Sequence, residues 1–212
     1  MRKHAALRLV TGTTPTIVNG NVPPRRQTNA ARRDREYLTL DEVERMRAAA
    51  SKAGRHGHRD STLLLVAFRH GLRASELVSL RWTQIDLRAG TVLVRRLKGS
   101  RDSVQPLGGE ELRALRRLRR DYPDSPYVFE TERKGPLTTS TIRKLVARAG
   151  ALAGLPFPTH PHMLRHACGH HLANKGTDTR SLQAYLGHAN IMHTVRYTEL
   201  SASRFDGLWG AD

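Results

Sequence analysis

The stretch THPHMLRHACGHHLANKGTDTRSLQAYLGHANIMHTVRY, Thr159 to Tyr197, decides how this chain reads. The spacing predicts a helix over 159–174 with His162 and Arg165 on one face and His166 beside them one turn on. Leu164, Ala167, Cys168 and Leu172 fall on the opposite side and read as core. Gly176 ends that helix. Asp178 caps a short helix to Leu186, and Gly187 ends it in turn. His188 is therefore expected at a turn, exposed by the break. Asn190 can cap the next helix, which carries Tyr197. The break at Gly187 is what can fold His188 and Tyr197 back into one pocket. A guanidinium, a histidine pair and a phenol suit phosphate chemistry with a tyrosine nucleophile.

Working outward, the upstream half supplies candidate partners. Thr39-Leu-Asp-Glu42 is a capping box, with Leu38 and Val43 as its hydrophobic staple, and opens a helix from Leu40 to about Ser51. A second helix is expected from Asp60 to His70, its core run Leu63 to Phe68 closed by Gly71. Arg73 follows that helix end and precedes a short helix through Leu77 to Leu80, so its side chain is free to point away from the core. Glu76, one turn on, can hold Arg73 or a neighbouring histidine; the plain alternative is a surface Arg–Glu pair. Thr91 to Arg96 alternates as a strand and pairs with Ser103 to Leu107, which places Lys98 on a hairpin tip. Such a lysine is ordinarily solvated, unless the tip reaches into a groove. Glu110 to Arg120 reads as an amphipathic basic helix and Tyr127 to Phe129 as a short strand. A helix capped by Thr138 or Thr139 runs to about Ala153. It carries Arg143, Lys144 and Arg148, a basic face that is either solvated surface or laid against DNA.

Composition narrows the partner. The 212 residues suffice for one domain, or one domain with an arm, and 38% hydrophobic content suffices for a core. A formal net charge of +17 points to a polyanion, with nucleic acid ahead of an anionic membrane surface. Residues 1–36 are broken by prolines and glycines and concentrate charge at Arg25, Arg26, Arg32 and Arg33. They read either as a flexible tail or as a basic arm tracking a DNA backbone. Order is expected from Tyr37 onward, giving a main domain over 37–212. The single cysteine, Cys168, excludes an intrachain disulfide and fits a reducing cytoplasm. No apolar run has the length of a membrane span, and no Walker loop or paired CxxC is present.

The chemistry then assigns itself to residues. A phosphodiester under attack spreads negative charge over its nonbridging oxygens, and Arg73 and Arg165 can each bind them through two N–H groups. His188 can add a hydrogen bond. Lys98 can protonate the leaving 5′ oxygen. Tyr197 is suited to attack and later leave, and His162 can take the phenol proton or orient the phosphate. Two arginines replace a metal in this scheme, so no cofactor is expected.

Gly71-Leu-Arg-Ala-Ser-Glu-Leu77, Leu97-Lys-Gly99, His160-Pro-His-Met-Leu-Arg-His166, Tyr185-Leu-Gly-His188 and Thr194-Val-Arg-Tyr197 together resemble the tyrosine recombinase (phage integrase) family. The His160–His166 stretch and the His-Thr-Val-Arg-Tyr ending are similar, more narrowly, to the bacterial fimbrial phase-variation recombinases. The resemblance covers about Tyr37 to Phe205. It implies a mainly α catalytic domain with a small antiparallel three-stranded sheet. It implies a 3′-phosphotyrosyl intermediate made at Tyr197, surrounded by Arg73, Lys98, His162, Arg165 and His188 with Glu76 in support. It also implies a homotetramer on paired sites of double-stranded DNA, acting on the bacterial nucleoid. In that assembly a tail from about 198 to 212, with Phe205, Leu208 and Trp209, docks on a neighbouring subunit. The chain departs from larger members in having only some 36 residues before Tyr37, too few for their DNA-clamping domain; the basic arm or an accessory DNA-bending protein would compensate.

Three rivals stay in view. A type IB topoisomerase uses the same chemistry, and the site residues alone do not separate the two. A zinc enzyme could use His162, His166 and His170, but no acidic residue stands ready as base or fourth ligand. A DNA-binding regulator without catalysis would have no need of Tyr197.

Overall fold

The computed structural model describes residues 35–96 and 101–199. Its first helix, α1 (Leu40–Lys52), starts at the expected box: the Glu42 amide donates to Thr39 Oγ1, and the Thr39 amide donates to Glu42 Oε2 at 2.8 Å. Leu38 and Val43 are both buried there. Helix α2 (Gly57–Arg69) begins three residues before the expected Asp60. The reason is steric: a Cβ at Gly57 would lie 2.1 Å from the Ser51 carbonyl oxygen, so a glycine lets the second helix start directly against the end of the first. Leu63 through Phe68 are buried without a break. A helix apolar on all sides belongs in a protein's centre, and α2 packs there against α1.

After α2 the chain turns through Gly71, φ +56°, into α3 (Ala74–Ser79). A three-stranded antiparallel sheet follows in sequence order: β1 (Ile85–Asp86), β2 (Thr91–Val94) and β3 (Ser103–Pro106). Val92 lies opposite Gln105 and Val94 opposite Ser103. The two-residue alternation expected for β2 is present, with Val92 and Val94 buried. It continues past the strand's end, so that Arg95 is exposed and Arg96 is buried. Lys98 lies outside the described residues.

Helix α4 (Gly109–Asp121) buries Leu115 and Leu118, as its spacing requires. Tyr127–Phe129 does not form the expected strand. Tyr127 makes a single bridge to Arg81, and Val128 donates its amide to the Leu80 carbonyl at 2.9 Å. The Val128 and Phe129 side chains are both buried, so the segment is a core-filling connection rather than a sheet member. Helix α5 (Thr139–Leu152) is capped by Thr138, turns Ile142, Leu145, Val146 and Ala149 inward, and leaves Arg143, Lys144 and Arg148 exposed.

The C-terminal part is a layer of three helices: α6 (Pro161–Asn174), α7 (Thr179–Leu186) and α8 (Met192–Glu199). Helix α6 starts at Pro161, two residues after Thr159, because proline favours the first helical position where its missing N–H costs nothing. Asp178 caps α7 through the Arg180 and Ser181 amides, and Gly187 ends it at φ +64°. Asn190 Oδ1 accepts the Met192 amide at the start of α8. The fold class is thus mainly α with one small antiparallel sheet.

Thr159 fixes where α6 enters this layer. It is buried, and its hydroxyl donates to the Val146 carbonyl of α5 at 2.8 Å. A Cβ on Gly150 would come within 2.3 Å of that hydroxyl oxygen. Helix propensity alone would make Gly150→Ala stabilising by about 1 kcal/mol. The contact reverses the sign: overpacking against a buried, branched side chain should destabilise by about 1–3 kcal/mol. Urea unfolding of the variant decides it, and a midpoint at or above the parent's would refute the packing argument.

Candidate active site

Four carbonyl oxygens and one carboxylate organise the site. Glu76, on α3, is buried. Its Oε1 accepts from Arg73 Nη1 at 2.9 Å; its Oε2 accepts from the Arg73 amide and from Arg96 Nη1, each at 2.8 Å. Arg96 has no exposed side-chain surface. It also donates to the carbonyls of His70, Gly71 and Tyr185. Arg165, on α6, is buried too; its two terminal nitrogens donate to the Gly71 and Leu186 carbonyls. The end of α2, the end of β2, the middle of α6 and the end of α7 are therefore tied together by guanidinium forks. Two glycines allow the approach: a Cβ at Gly71 would sit 2.6 Å from Leu186 Cδ2, and one at Gly187 would sit 2.8 Å from Arg96 Cγ.

The electrostatics are lopsided. Arg73, Arg96 and Arg165 surround one carboxylate. Burial, and then the two neighbouring guanidiniums, pull Arg165 down to about 10, so it stays charged at neutral pH while surplus positive field remains. His188 sits on the turn after Gly187, with Nδ1 2.9 Å from the hydroxyl of the buried Thr194. Burial, followed by the Arg165 and Arg73 charges, lowers it to about 3, which makes it a neutral imidazole. His162 is exposed on the rim; its pKa is lowered by partial desolvation and by Arg165, Arg73 and Arg143.

Tyr197 lies on α8 with 2% of its surface exposed. The break at Gly187 does bring it to His188, with ring centroids 6.2 Å apart and planes 18° from parallel. Its hydroxyl lies 2.7 Å from Nδ1 of His166, not against His162. Burial, opposed by Arg165, raises the phenol's pKa, so it rests protonated. A Cβ on Gly169 would lie 2.8 Å from the tyrosine ring, so the glycine is the seat on which the ring rests.

The structure thus brings Arg73, Glu76, Arg165, His188 and Tyr197 together and leaves His162 at the mouth. Lys98 and the arm arginines Arg25, Arg26, Arg32 and Arg33 lie outside the described residues. Two participants escaped the sequence reading. Arg96 had a signal, since the strand's period puts it on the same inward face as Val92 and Val94. His166 was placed beside Arg165, but its pairing with Tyr197 depends on how α8 crosses α6. As for the zinc alternative, no group of three His, Cys, Asp or Glu among the described residues could hold a metal ion.

The sequence profile of the phage integrase family matches residues 36–204. The chain belongs to that family. The type 1 fimbriae regulatory protein FimE of Escherichia coli strain K12 is 44% identical over 181 residues, covering 82% of this chain and 91% of FimE. The crystal structure of XerA recombinase superposes with a TM-score of 0.70 at 30% identity, over 82% of this chain and 63% of XerA. A XerH site-specific recombinase, bound to palindromic difH substrate as a post-cleavage complex, gives a TM-score of 0.67 at 26% identity, over 82% and 53% of the two chains. The protein is a site-specific tyrosine recombinase in sequence and in fold. Its likeness to the fimbrial type agrees with the His160–His166 stretch and the ending at Tyr197.

The buried carboxylate carries a definite stability consequence. Glu76→Gln leaves the Arg96 charge without its counterion in a site closed to water. Breaking a buried pair in this way costs about 3–5 kcal/mol. Asp41→Asn, which removes an exposed pair with Arg45, should leave the unfolding midpoint unchanged. Denaturant unfolding of the two variants side by side checks both statements.

Proposed function

We propose that this chain cuts and rejoins double-stranded DNA through a covalent bond between Tyr197 and a 3′ phosphate, producing inversion, integration or excision. The observation that carries the reading is the excess of guanidinium over carboxylate beside a buried, protonated phenol. A phosphodiester would supply the missing negative charge. Arg73, only half-buried at the mouth, and the deeper Arg165 would bind its nonbridging oxygens. If the Thr194 hydroxyl is the donor to Nδ1, neutral His188 would carry its one proton on Nε2, where it would donate to the same phosphate. Glu76 fixes the fork of Arg73 and leaves its remaining N–H groups for the ligand. Lys98, two residues beyond the anchored Arg96, would protonate the leaving 5′ oxygen. His162, on the rim beside Arg165, suits orientation of the phosphate. The bond energy stays in the phosphotyrosine, so resealing needs no nucleotide cofactor.

DNA binding rests on the +17 charge, on the exposed Arg143, Lys144 and Arg148 of α5, and on the likeness to the DNA-bound XerH. Residues 1–36 act in this reading as a basic arm and 37–212 as the catalytic domain. The tail from about 198, whose Phe205, Leu208 and Trp209 lie outside the described residues, would dock on a neighbouring subunit in a tetramer on paired sites, with an accessory DNA-bending protein where the arm does not suffice. The place of action would be the bacterial cytoplasm, at the nucleoid; no described helix is long and apolar enough to cross a membrane.

A nicked suicide duplex, carrying a site that the protein selects from random-sequence DNA, tests the chemistry in EDTA. Wild type should form a covalent protein–DNA adduct on a denaturing gel, and Tyr197→Phe should bind the same duplex without forming one. An adduct from the phenylalanine variant would remove Tyr197 from its role. Binding itself should weaken steeply with salt, because neutralised phosphates release counterions. Replacing Arg143, Lys144 and Arg148 together by alanine should flatten the plot of log affinity against log salt by about 0.9 for each phosphate left unneutralised. An unchanged slope would take α5 out of the DNA interface.

A further inference from the structure

We propose that His166 is a catalytic residue of this enzyme, the base that takes the phenol proton from Tyr197 and returns it on resealing. This rests on the reading of Tyr197 as nucleophile and goes beyond it, since that reading names no acceptor for the phenol proton and the sequence offered His162 either for that role or for orienting the phosphate.

Three observations converge on His166. First, its Nδ1 lies 2.7 Å from the phenol oxygen, within direct proton-transfer distance. Second, the phenol has little freedom to point elsewhere. Its ring sits on the backbone at Gly169, where a Cβ would approach to 2.8 Å. It meets the edge of His170 at 5.0 Å between centroids, and it stacks on His188. Third, the phenol's hydrogen bond goes to His166 and not to His162. His162 stands exposed at the mouth under the fields of Arg165, Arg73 and Arg143, while the His162 and His166 rings are 6.3 Å apart.

His166 is held as a neutral imidazole. Burial lowers it to about 4, helped by His162, Arg196, His170 and Arg165 around it. A base lowered so far is weak in the empty site, which keeps the tyrosine protonated at rest. A phosphate bound at Arg73 and Arg165 would offset the positive field and make the imidazole more basic when it is needed. In the cleavage step the Tyr197 O–H bond breaks and an Nδ1–H bond forms on His166. The phenol oxygen bonds to phosphorus, and the bond from phosphorus to the 5′ oxygen breaks. That oxygen takes its proton from the acid on the opposite side. Resealing runs the same transfers backwards, with the His166 imidazolium protonating the departing phenol oxygen.

The test separates a base from a tether. His166→Gln keeps a hydrogen-bond partner for the phenol but cannot accept its proton; His166→Ala removes both. The suicide duplex above is used in two forms, with oxygen or with sulfur at the scissile 5′ position. A 5′ thiolate leaves without a proton, so sulfur relieves a missing acid and does nothing for a missing base. Both variants, shown by salt-dependent binding to hold the duplex as wild type does, should form adduct about 100-fold more slowly. They should do so on either duplex, and added imidazole should speed His166→Ala. A His166→Gln rate within about threefold of wild type, or rescue of His166→Ala by sulfur, would overturn the assignment while leaving Tyr197 as nucleophile. No adduct from wild type would overturn both.

Discussion

The contact between Glu76 and Arg96 is the one on which the site depends. Neither side chain meets solvent to any extent, and each would be costly to bury alone. Paired, they fix the end of β2 to the start of α3. Arg96 also gathers the carbonyls of His70, Gly71 and Tyr185, drawing in the ends of α2 and α7. Arg165 then uses two of the same places, the Gly71 carbonyl and the end of α7 at Leu186. Arg73 and His188 hang on this frame, Arg73 through Glu76 and His188 through the turn at Gly187. The hydrophobic core of α2 sets where the frame stands; the guanidinium forks set the angles at which the functional groups leave it.

The same arrangement explains why the site should bind phosphate rather than merely tolerate it. Packing three guanidiniums round one carboxylate is electrostatically unfavourable in an empty protein, and Arg73 and Arg96 add to burial, the larger cause, in lowering the pKa of Arg165. The histidines do not add to the burden, because burial holds His166 and His188 neutral. What remains is preorganised positive charge, buried at Arg96 and Arg165 and partly exposed at Arg73, the kind of fixed field that stabilises a developing oxyanion. Neutral imidazoles beside fixed cations can exchange protons with the phenol and the phosphate while the cations stay charged.

Much of this was legible in the sequence because its signals are local. Thr39 with Glu42, Thr138, Asp178, Asn190, Gly71 and Gly187 act within a few residues of themselves, and each cap or helix end stands where the sequence places it. The strand alternation of Thr91 to Val94 is likewise local. Arg73 and His188 stood out because helix breaks predict where a side chain leaves the core, whereas Arg165 and Tyr197, both buried, stood out by residue type and by their spacing from His162 and His188. The Tyr127–Phe129 reading failed for the opposite reason. An apolar triplet is equally suited to a strand or to a buried connection, and what decides is whether a neighbouring edge is free. Arg96 lay between the two cases, for its inward direction is legible in the period of β2, but its counterion comes from a helix twenty positions earlier.

His166 marks where local reasoning stops. Its spacing from Arg165 says only that the two are adjacent on α6, and a histidine there could as well be an ordinary surface or core residue. What singles it out is the crossing of α8 over α6, and that crossing is set by the smallest residue available. At Gly169 the helix backbone is bare, so the Tyr197 ring can lie against it and carry its hydroxyl to His166, one turn back along α6. Any side chain at that position would lift the ring from its seat and change which imidazole the phenol meets. The identity of the proton's partner is therefore determined by a residue that makes no hydrogen bond through a side chain at all.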